Sequence, residues 1–339
     1  MPTRGYVRYV AKKTLWYILT FFVAITLIFI MPRLIPGNPI SAIIAQMMGD
    51  GAQSESLERV YRSFMDQYGL DRSLIYQYVE YLKNLFSGSL GVSFSLFPRS
   101  VNEIIGEALP WTLALQLPAI LVGWMCGNIL GAYAAYRRGK FDSTLFPLSL
   151  FMSAMPYYAL AIILQYLLGV YLGWFPVSGG YSIFIFPSLT LDFFKNLLVH
   201  YFLPFLSIVI VTIGGQAIGM REMSIYELNT DYVNYSKMLG LSDRKISSYI
   251  FRNAMLPQVT GLAISLGMMV GGSLITEIVF DYPGIGSGLF NAIRQNDYPL
   301  IQGIVLIIII AVLIANFFID IIYGFLDPRI RISQEEENI

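Results

Sequence analysis

The sequence predicts an all-α polytopic membrane protein: six transmembrane helices, both termini in the cytoplasm, and a large extracytoplasmic segment after the first span. Composition comes first. Only 13% of residues are charged while 56% are hydrophobic, against about a quarter charged in a typical soluble domain. The second observation is six stretches long enough to cross a bilayer, which needs about 20 mainly apolar residues. They run over residues 14–34, 109–136, 145–172, 201–220, 256–280 and 299–326. The third is the distribution of Lys and Arg, which sets orientation when counted over short loops. Arg4, Arg8, Lys12 and Lys13 precede span one, and Arg137, Arg138 and Lys140 follow span two. Arg221, Lys237, Arg244, Lys245 and Arg252 follow span four, and Arg329 and Arg331 follow span six. The short loops of the opposite side carry only Lys195 and Arg294.

Residues 1–34 hold the cytoplasmic N-terminus and span one. The apolar run Leu15–Met31 exceeds the roughly 7–15 residues of a secretory h-region, and no A-x-A site follows, so it reads as a retained span. Residues 35–108 form the outer segment. Within it Leu74, Tyr78, Tyr81, Leu82 and Leu85 fall at helical spacing, an amphipathic helix for which Asp71 suits the N-cap. Gly88, Gly91 and Pro98 then mark a loop. This helix either caps the outer ends of the spans or meets a transported solute. Residues 109–326 form the membrane core. Its fourth span is interrupted by Pro204, with Pro187 ahead of it. The tail, 327–339, is acidic and polar, a composition expected to be disordered.

Chemistry-bearing residues are scarce. The single cysteine, Cys126, lies in an apolar run and with the single His200 makes a poor metal set. Zero formal net charge gives no basis for nucleic-acid binding. Glu277 and Asp320 are the clear intramembrane acids, functional candidates by default. Both stand near span ends, where a structural pairing, for instance of Asp320 with an Arg of the tail, is the expectation. His200 reads as interfacial, and Tyr157, Tyr158, Trp174 and Tyr201 suit an aromatic belt. Gly215 with Gly219, and Gly267 with Gly271, are four apart, a spacing that lets helices approach closely. They could line a seam with a partner subunit or pack within this chain, and internal packing is favoured. Gly271-Gly272-Ser273 invites a helix irregularity.

The segment 221–256 is a cytoplasmic hairpin between spans four and five. Tyr232, Tyr235 and Leu239 share one helical face. Gly240 can take the left-handed conformation that closes a helix. Ser242 is a good N-cap for the next helix and Asp243 complements its dipole. Ile246, Tyr249 and Ile250 continue the helical period, and Pro257 begins span five. Such an element can dock in a groove of a soluble partner or lie against its own membrane domain.

This stretch resembles the coupling loop of ABC-importer permeases, an E-A-A, three residues, Gly, nine residues, I-x-L-P pattern. The Gly falls on Gly240 and the Ile on Ile250, while Asn234, Tyr235 and Ser236 stand at the E-A-A positions and Arg252-Asn253 replaces L-P. The ending RNAMLP, Arg252–Pro257, resembles the oligopeptide/dipeptide permease branch, as do RLIPGNP (33–39), YGLDRSLIYQYVEYL, LGWFPVSG (172–179), EIVFDYPGIGSGLFNAI (277–293) and DPRIR (327–331). The resemblance implies one of two related permease subunits in the cytoplasmic membrane. Two cytoplasmic ATPases would bind beneath through one hairpin each, and an extracytoplasmic solute-binding protein would deliver cargo. ATP and Mg would sit on the ATPases. This chain binds no cofactor of its own and is no enzyme, and it carries no G-x-x-x-x-G-K-[ST] loop. Peptide is the expected cargo, with oligosaccharide or metal chelate as alternatives. An ion-coupled secondary transporter would call for midplane carboxylates or inverted repeats, and neither is evident. A membrane hydrolase built on His200 and a serine lacks an orienting acid.

Overall fold

The computed structural model describes residues 4–31, 62, 72–137, 139–272 and 274–326. The expected Asp71 cap, the 33–39 motif, most of 35–71 and the whole 327–339 tail lie outside the described residues. Among the described residues there is no β-strand, only an isolated bridge pairing Val92 with Ser100. The helices in chain order are α1 (Arg4–Ile30), α2 (Leu74–Phe86), α3 (Val101–Arg137), α4 (Gly139–Ala154), α5 (Tyr157–Leu164, continued as a π-helical turn over Gln165–Tyr171), α6 (Leu191–Leu228), α7 (Asp231–Met238), α8 (Asp243–Gly272), α9 (Leu274–Val279), α10 (Ile285–Arg294) and α11 (Tyr298–Leu326).

Among the described residues four helices are long and apolar enough to cross a membrane: Tyr9–Ile30 of α1, α3, α6, and Tyr298–Phe318 of α11. A fifth crossing results if α4 and α5 are one broken span, for they meet at a 98° bend. The bend falls at Met155-Pro156. A residue before proline is pushed out of the helical region, and proline has no N–H to continue the ladder. The stretch 256–280 is not among these four. It is divided between α8 and α9. The fourth expected span, 201–220, is longer than its apolar core. α6 passes straight through Pro204, and Ser207 Oγ donates to the Pro204 carbonyl at 2.7 Å.

The chain divides into two compact units, residues 1–110 with 288–339, and residues 111–287. In the first, α1 packs on α11 around Ile25, Ile28 and Leu306. The amphipathic α2 covers the same cluster with Tyr81, Leu82 and Leu85, and the Thr26 and Tyr78 hydroxyls bond at 2.7 Å. This is the capping role expected of the outer helix, although Leu74 points outward. Its N-cap is Ser73, whose side chain accepts from Tyr76 N–H at 3.4 Å. The following loop is fixed by the buried carboxylate of Asp297, which accepts from Ser95 N–H at 2.9 Å, from Ser95 Oγ at 2.7 Å and from Ser93 Oγ.

In the second unit α4, α5 and α8 pack on α6. The core gathers Leu115 and Ala119 of α3, Ala161 of α5, Leu203, Ile208 and Val209 of α6, and Phe280 and Tyr282 beyond α9.

Candidate functional site

The hairpin forms as two short helical pieces because Gly240 breaks them. Leu239 ends α7, and Gly240 follows with φ +71°. Leu241 N–H then bonds the Ser236 carbonyl at 3.2 Å and Gly240 N–H bonds the Lys237 carbonyl at 3.0 Å. This pair of bonds is a Schellman closure, and the left-handed residue it needs favours glycine. Leu241 packs back onto a small core of Val233, Ile246 and Ile250, flanked by Leu228 and Tyr232. Ser242 stands directly ahead of α8, and its carbonyl accepts from Lys245 and Ile246 at 2.9 and 3.1 Å. Residues from α7 and α8 therefore share one core, and the hairpin is a single packed piece.

The expected common face of Tyr232, Tyr235 and Leu239 is divided. Tyr232 turns inward, and its hydroxyl donates to Glu227 Oε2 at 2.7 Å. Asn253 Nδ2 reaches the same oxygen at 3.5 Å. Burial, then the Glu227 carboxylate, hold the Tyr232 hydroxyl above its ordinary pKa. Ser236 is buried beside Val233, whereas Asn234, Tyr235, Met238, Leu239 and Gly240 are exposed. The apex is thus a small apolar knob of Tyr235, Met238 and Leu239, with the cations Lys237, Arg244 and Lys245 exposed around it. Sequence periodicity could not reveal Glu227 as the acceptor, because it lies one turn upstream on α6.

Glu277 lies at the other end of the unit and is fully buried on α9. Its Oε2 accepts from Gly286 N–H at 2.7 Å, and Gln116 Nε2 approaches Oε1 at 3.5 Å. Its backbone carbonyl accepts from Tyr282 N–H at 2.8 Å and from Ser287 Oγ at 3.0 Å. Thr112 Oγ1 takes Ile285 N–H at 2.8 Å. A Cβ at Gly284 would collide with Glu277 Oε2 and Thr112 Oγ1, and one at Gly286 would stand 2.6 Å from the Leu274 carbonyl. The carboxylate is the pin around which the Asp281–Ser287 turn is wound, with two glycines supplying the space. The turn is tied onward: Gly179 N–H bonds the Phe280 carbonyl at 2.8 Å, and Gln165 Nε2 bonds the Val279 carbonyl at 2.8 Å.

A family model described as binding-protein-dependent transport system inner membrane component matches residues 127–332. That is well over half the chain and includes both the hairpin and the Glu277 turn. The chain belongs to this family. Among its relatives, the di/tripeptide transport system permease protein DppB of Pseudomonas aeruginosa is 32% identical, with 95% of this chain and 98% of that protein covered. A putative peptide transport system permease of Brucella abortus is 33% identical over the same shares. The glutathione transport system permease GsiC of Escherichia coli is 29% identical, again with 95% and 98% covered. These relatives are transport permeases rather than enzymes, and this chain is an ABC-type permease subunit of the peptide branch.

In this permease α6 is not approached closely at Gly215. A Cβ on Gly215 meets nothing within 4 Å, and one on Gly219 meets only the Gln258 side chain, at 3.4 Å. Internal packing is therefore not what Gly215 serves. Gly267, Gly271 and Gly272 lie on the last turns of α8. The tight contact comes from Gly123, Gly127 and Gly131 of α3. A Cβ at Gly123 would lie 2.6 Å from Thr212 Cβ, one at Gly127 would lie 2.6 Å from Gln216 Cβ, and one at Gly131 would strike the Ala217 carbonyl. The run GWMCGNILG carries this signal at a spacing of four, and sequence reading passed over it.

Two ion pairs complete the unit descriptions. Arg221 of α6 forks onto Asp142 of α4, with Nε–Oδ1 at 2.5 Å and NH2–Oδ2 at 2.7 Å, and its guanidinium covers the Phe146 ring at 4.4 Å. Asp320 pairs with Lys13 of α1 at 2.9 Å and accepts from Tyr17 at 2.8 Å. The expected structural pairing of Asp320 exists, with Lys13 of α1 as its cation among the described residues; the tail arginines lie outside them. His200 faces the Asn196 carbonyl through Nδ1 at 2.9 Å, a bond within its own helix. Among the described residues no cluster of His, Cys, Asp or Glu could hold a metal ion.

Proposed function

We propose that the chain translocates di- and oligopeptides as one of two related permease subunits in the cytoplasmic membrane, coupled to ATPases through the hairpin centred on Gly240. The hairpin carries this reading. It is a rigid piece joined to two long helices, and it offers an apolar apex with basic neighbours to something outside the chain. Two separate cytoplasmic ATPases would seat that apex, holding the ATP and Mg, and an extracytoplasmic binding protein would deliver the peptide. Six crossings complete the topology, with α4–α5 as the bent third, the 256–280 stretch as the fifth, and both termini inside as the Lys and Arg distribution requires. Peptide cargo is supported by the names of the relatives, of which glutathione, a tripeptide, is the chemically smallest departure.

The test uses the assembled complex in proteoliposomes, with peptide uptake driven by internal ATP. A Cβ at Gly240 meets nothing within 4 Å, so bulk there disturbs only what docks from outside. Gly240→Asn, which tolerates the left-handed backbone, keeps uptake. Gly240→Ala reports backbone strain alone. Gly240→Trp loses uptake or ATPase co-purification while the spans stay inserted. A Gly240→Trp complex that binds its ATPases and transports normally refutes the hairpin assignment. Uptake of an oligosaccharide in preference to peptides refutes the cargo.

A further inference from the structure

The segment between the π-helical turn and α6 presents apolar side chains to the outside of the chain with unusual completeness. Ile183, Phe184, Phe186 and Leu189 are 85, 86, 84 and 95% exposed. Contiguous apolar patches of this kind mark interaction sites. No Asp, Glu, Lys, Arg or His occurs anywhere between Asp142 and Asp192. Within the loop itself a water-soluble partner would find no charge to steer or orient it.

The height of the patch follows from how it is rooted. Ser182 N–H donates to Asn196 Oδ1 at 2.8 Å, and the Tyr181 ring meets the Phe193 ring edge-on at 5.6 Å. The loop thus stands beside the first turns of α6, level with Asn196. The apolar span within α6 begins near Tyr201, five residues or about 7.5 Å further along the axis at 1.5 Å per residue. A headgroup layer is roughly 5–8 Å thick on each side of the hydrocarbon. That distance places the root of the loop in the headgroup layer. Its apolar surface also runs on into exposed side chains of the membrane-facing helices: Leu191, Phe194, Leu198 and Phe202 along α6, and Tyr171 and Trp174 at the end of the π-helical turn. Asp192 and Lys195, the first charges, are exposed at the same end of α6.

We propose that residues 183–189 are a membrane-interface anchor that buries its Ile, Phe and Leu side chains in the headgroup layer of the leaflet at the start of α6. The partner is lipid, held by apolar burial of the kind that seats interfacial segments. The proposal rests on α6 being a span and on no assignment of cargo or ATPase.

The experiment places single nitroxide-labelled cysteines at Phe184 and Phe186 in a Cys126→Ser background, in the assembled transporter in lipid nanodiscs. Collision with molecular oxygen, which concentrates in lipid, is compared with collision with a water-soluble nickel chelate. At both positions oxygen is expected to dominate, reversing the ratio found for control labels at Asp192 and Asp231. Nickel dominating at 184 and 186 places the loop in water and overturns the proposal. An immobilised label shielded from both reagents means a protein partner covers the patch and overturns it equally. The unmutated chain provides a second reading: photoactivatable lipid should label the peptide 181–190, and labelling of α6 with none on that peptide refutes the anchor.

Discussion

One alanine substitution at two glycines separates the two packing stripes. At Gly127 a Cβ would lie 2.6 Å from Gln216 Cβ and 2.7 Å from the Ile213 carbonyl. Ordinary contact begins near 3.4 Å, so α3 and α6 must part by most of an ångström. The colliding groups are backbone or Cβ atoms, which cannot swing away. Overpacking of this kind costs about 1–3 kcal/mol, against a gain of about 1 kcal/mol in helix propensity. The expected net loss for Gly127→Ala is up to about 2 kcal/mol. At Gly215 the same change meets nothing within 4 Å, so only the propensity term acts, a gain of up to about 1 kcal/mol. The two variants should differ by roughly 1–3 kcal/mol, a factor of about 5–150 in the unfolding equilibrium. Steric-trap unfolding of the isolated chain in bicelles measures both. If they agree within about 0.5 kcal/mol, the scale of ordinary surface substitutions, the assignment of the tight crossing to the Gly127 stripe is refuted. The same pair measured in the assembled complex adds a further reading. A Gly215→Ala loss seen only there places the open face of Gly215 against a partner subunit.

Three other perturbations test separate parts of the structure. Asp142→Ala removes the carboxylate from Arg221, whose side chain is only 20% exposed; the expected loss is about 2–3 kcal/mol, below the cost of breaking a fully buried pair, and an unchanged unfolding free energy contradicts it. The Tyr232 hydroxyl has its folded pKa raised above the ordinary 10.0, so its contribution is complete below pH 10 and is lost as pH rises through the folded value. Tyrosinate absorbance, taken as the difference between wild type and Tyr232→Phe, should titrate above pH 10 and move down in Glu227→Gln; a titration unmoved by Glu227→Gln refutes the bond. Ser73→Ala should destabilise α2 by about 1 kcal/mol through loss of its cap, read as faster amide exchange at Leu74–Gln77, and exchange at the wild-type rate contradicts the capping.

What the sequence revealed and what it hid follow a physical division. Features fixed by neighbours in the chain were legible. Gly240 closes α7 because a left-handed residue is a local requirement, and the i, i+3, i+4, i+7 pattern of Tyr78, Tyr81, Leu82 and Leu85 marks a face wherever that face finds cover. Features fixed by a distant partner were not. Nothing near Asp142 announces Arg221, and nothing near Asp320 announces Lys13. Small-residue spacing says that a helix can be approached closely, but not which of several such stripes is approached. Gly123-Gly127-Gly131 of α3 and Gly215-Gly219 of α6 look alike in the chain and differ in what faces them: α6 lies against the first stripe, whereas a Cβ at Gly215 meets nothing within 4 Å. The 98° bend at Pro156 belongs between these cases. Proline announces a weakness in the helix, and packing on α6 decides how far it turns.

The placement of Glu227 bears on how force would pass through the hairpin. A lever that bends internally dissipates displacement before it reaches the spans. The core of Val233, Ile246 and Ile250 joins α7 to α8, so those two move as one body. The weak point ought to be the two-residue link Asn229–Thr230 at the foot of α6. There Thr230 Oγ1 donates back to the Glu227 carbonyl at 2.6 Å, while Glu227 Oε2 takes the Tyr232 hydroxyl. The same oxygen is reached by Asn253 of α8. One carboxylate at the end of α6 thus ties the link to both arms of the hairpin. If an ATPase displaces Tyr235 and Leu239, α6 and α8 must follow together rather than α7 folding over. Glu227→Ala should therefore leave ATPase binding intact, because the exposed apex is unchanged, yet lower the peptide transported per ATP. A variant that loses both in proportion contradicts this placement of the joint.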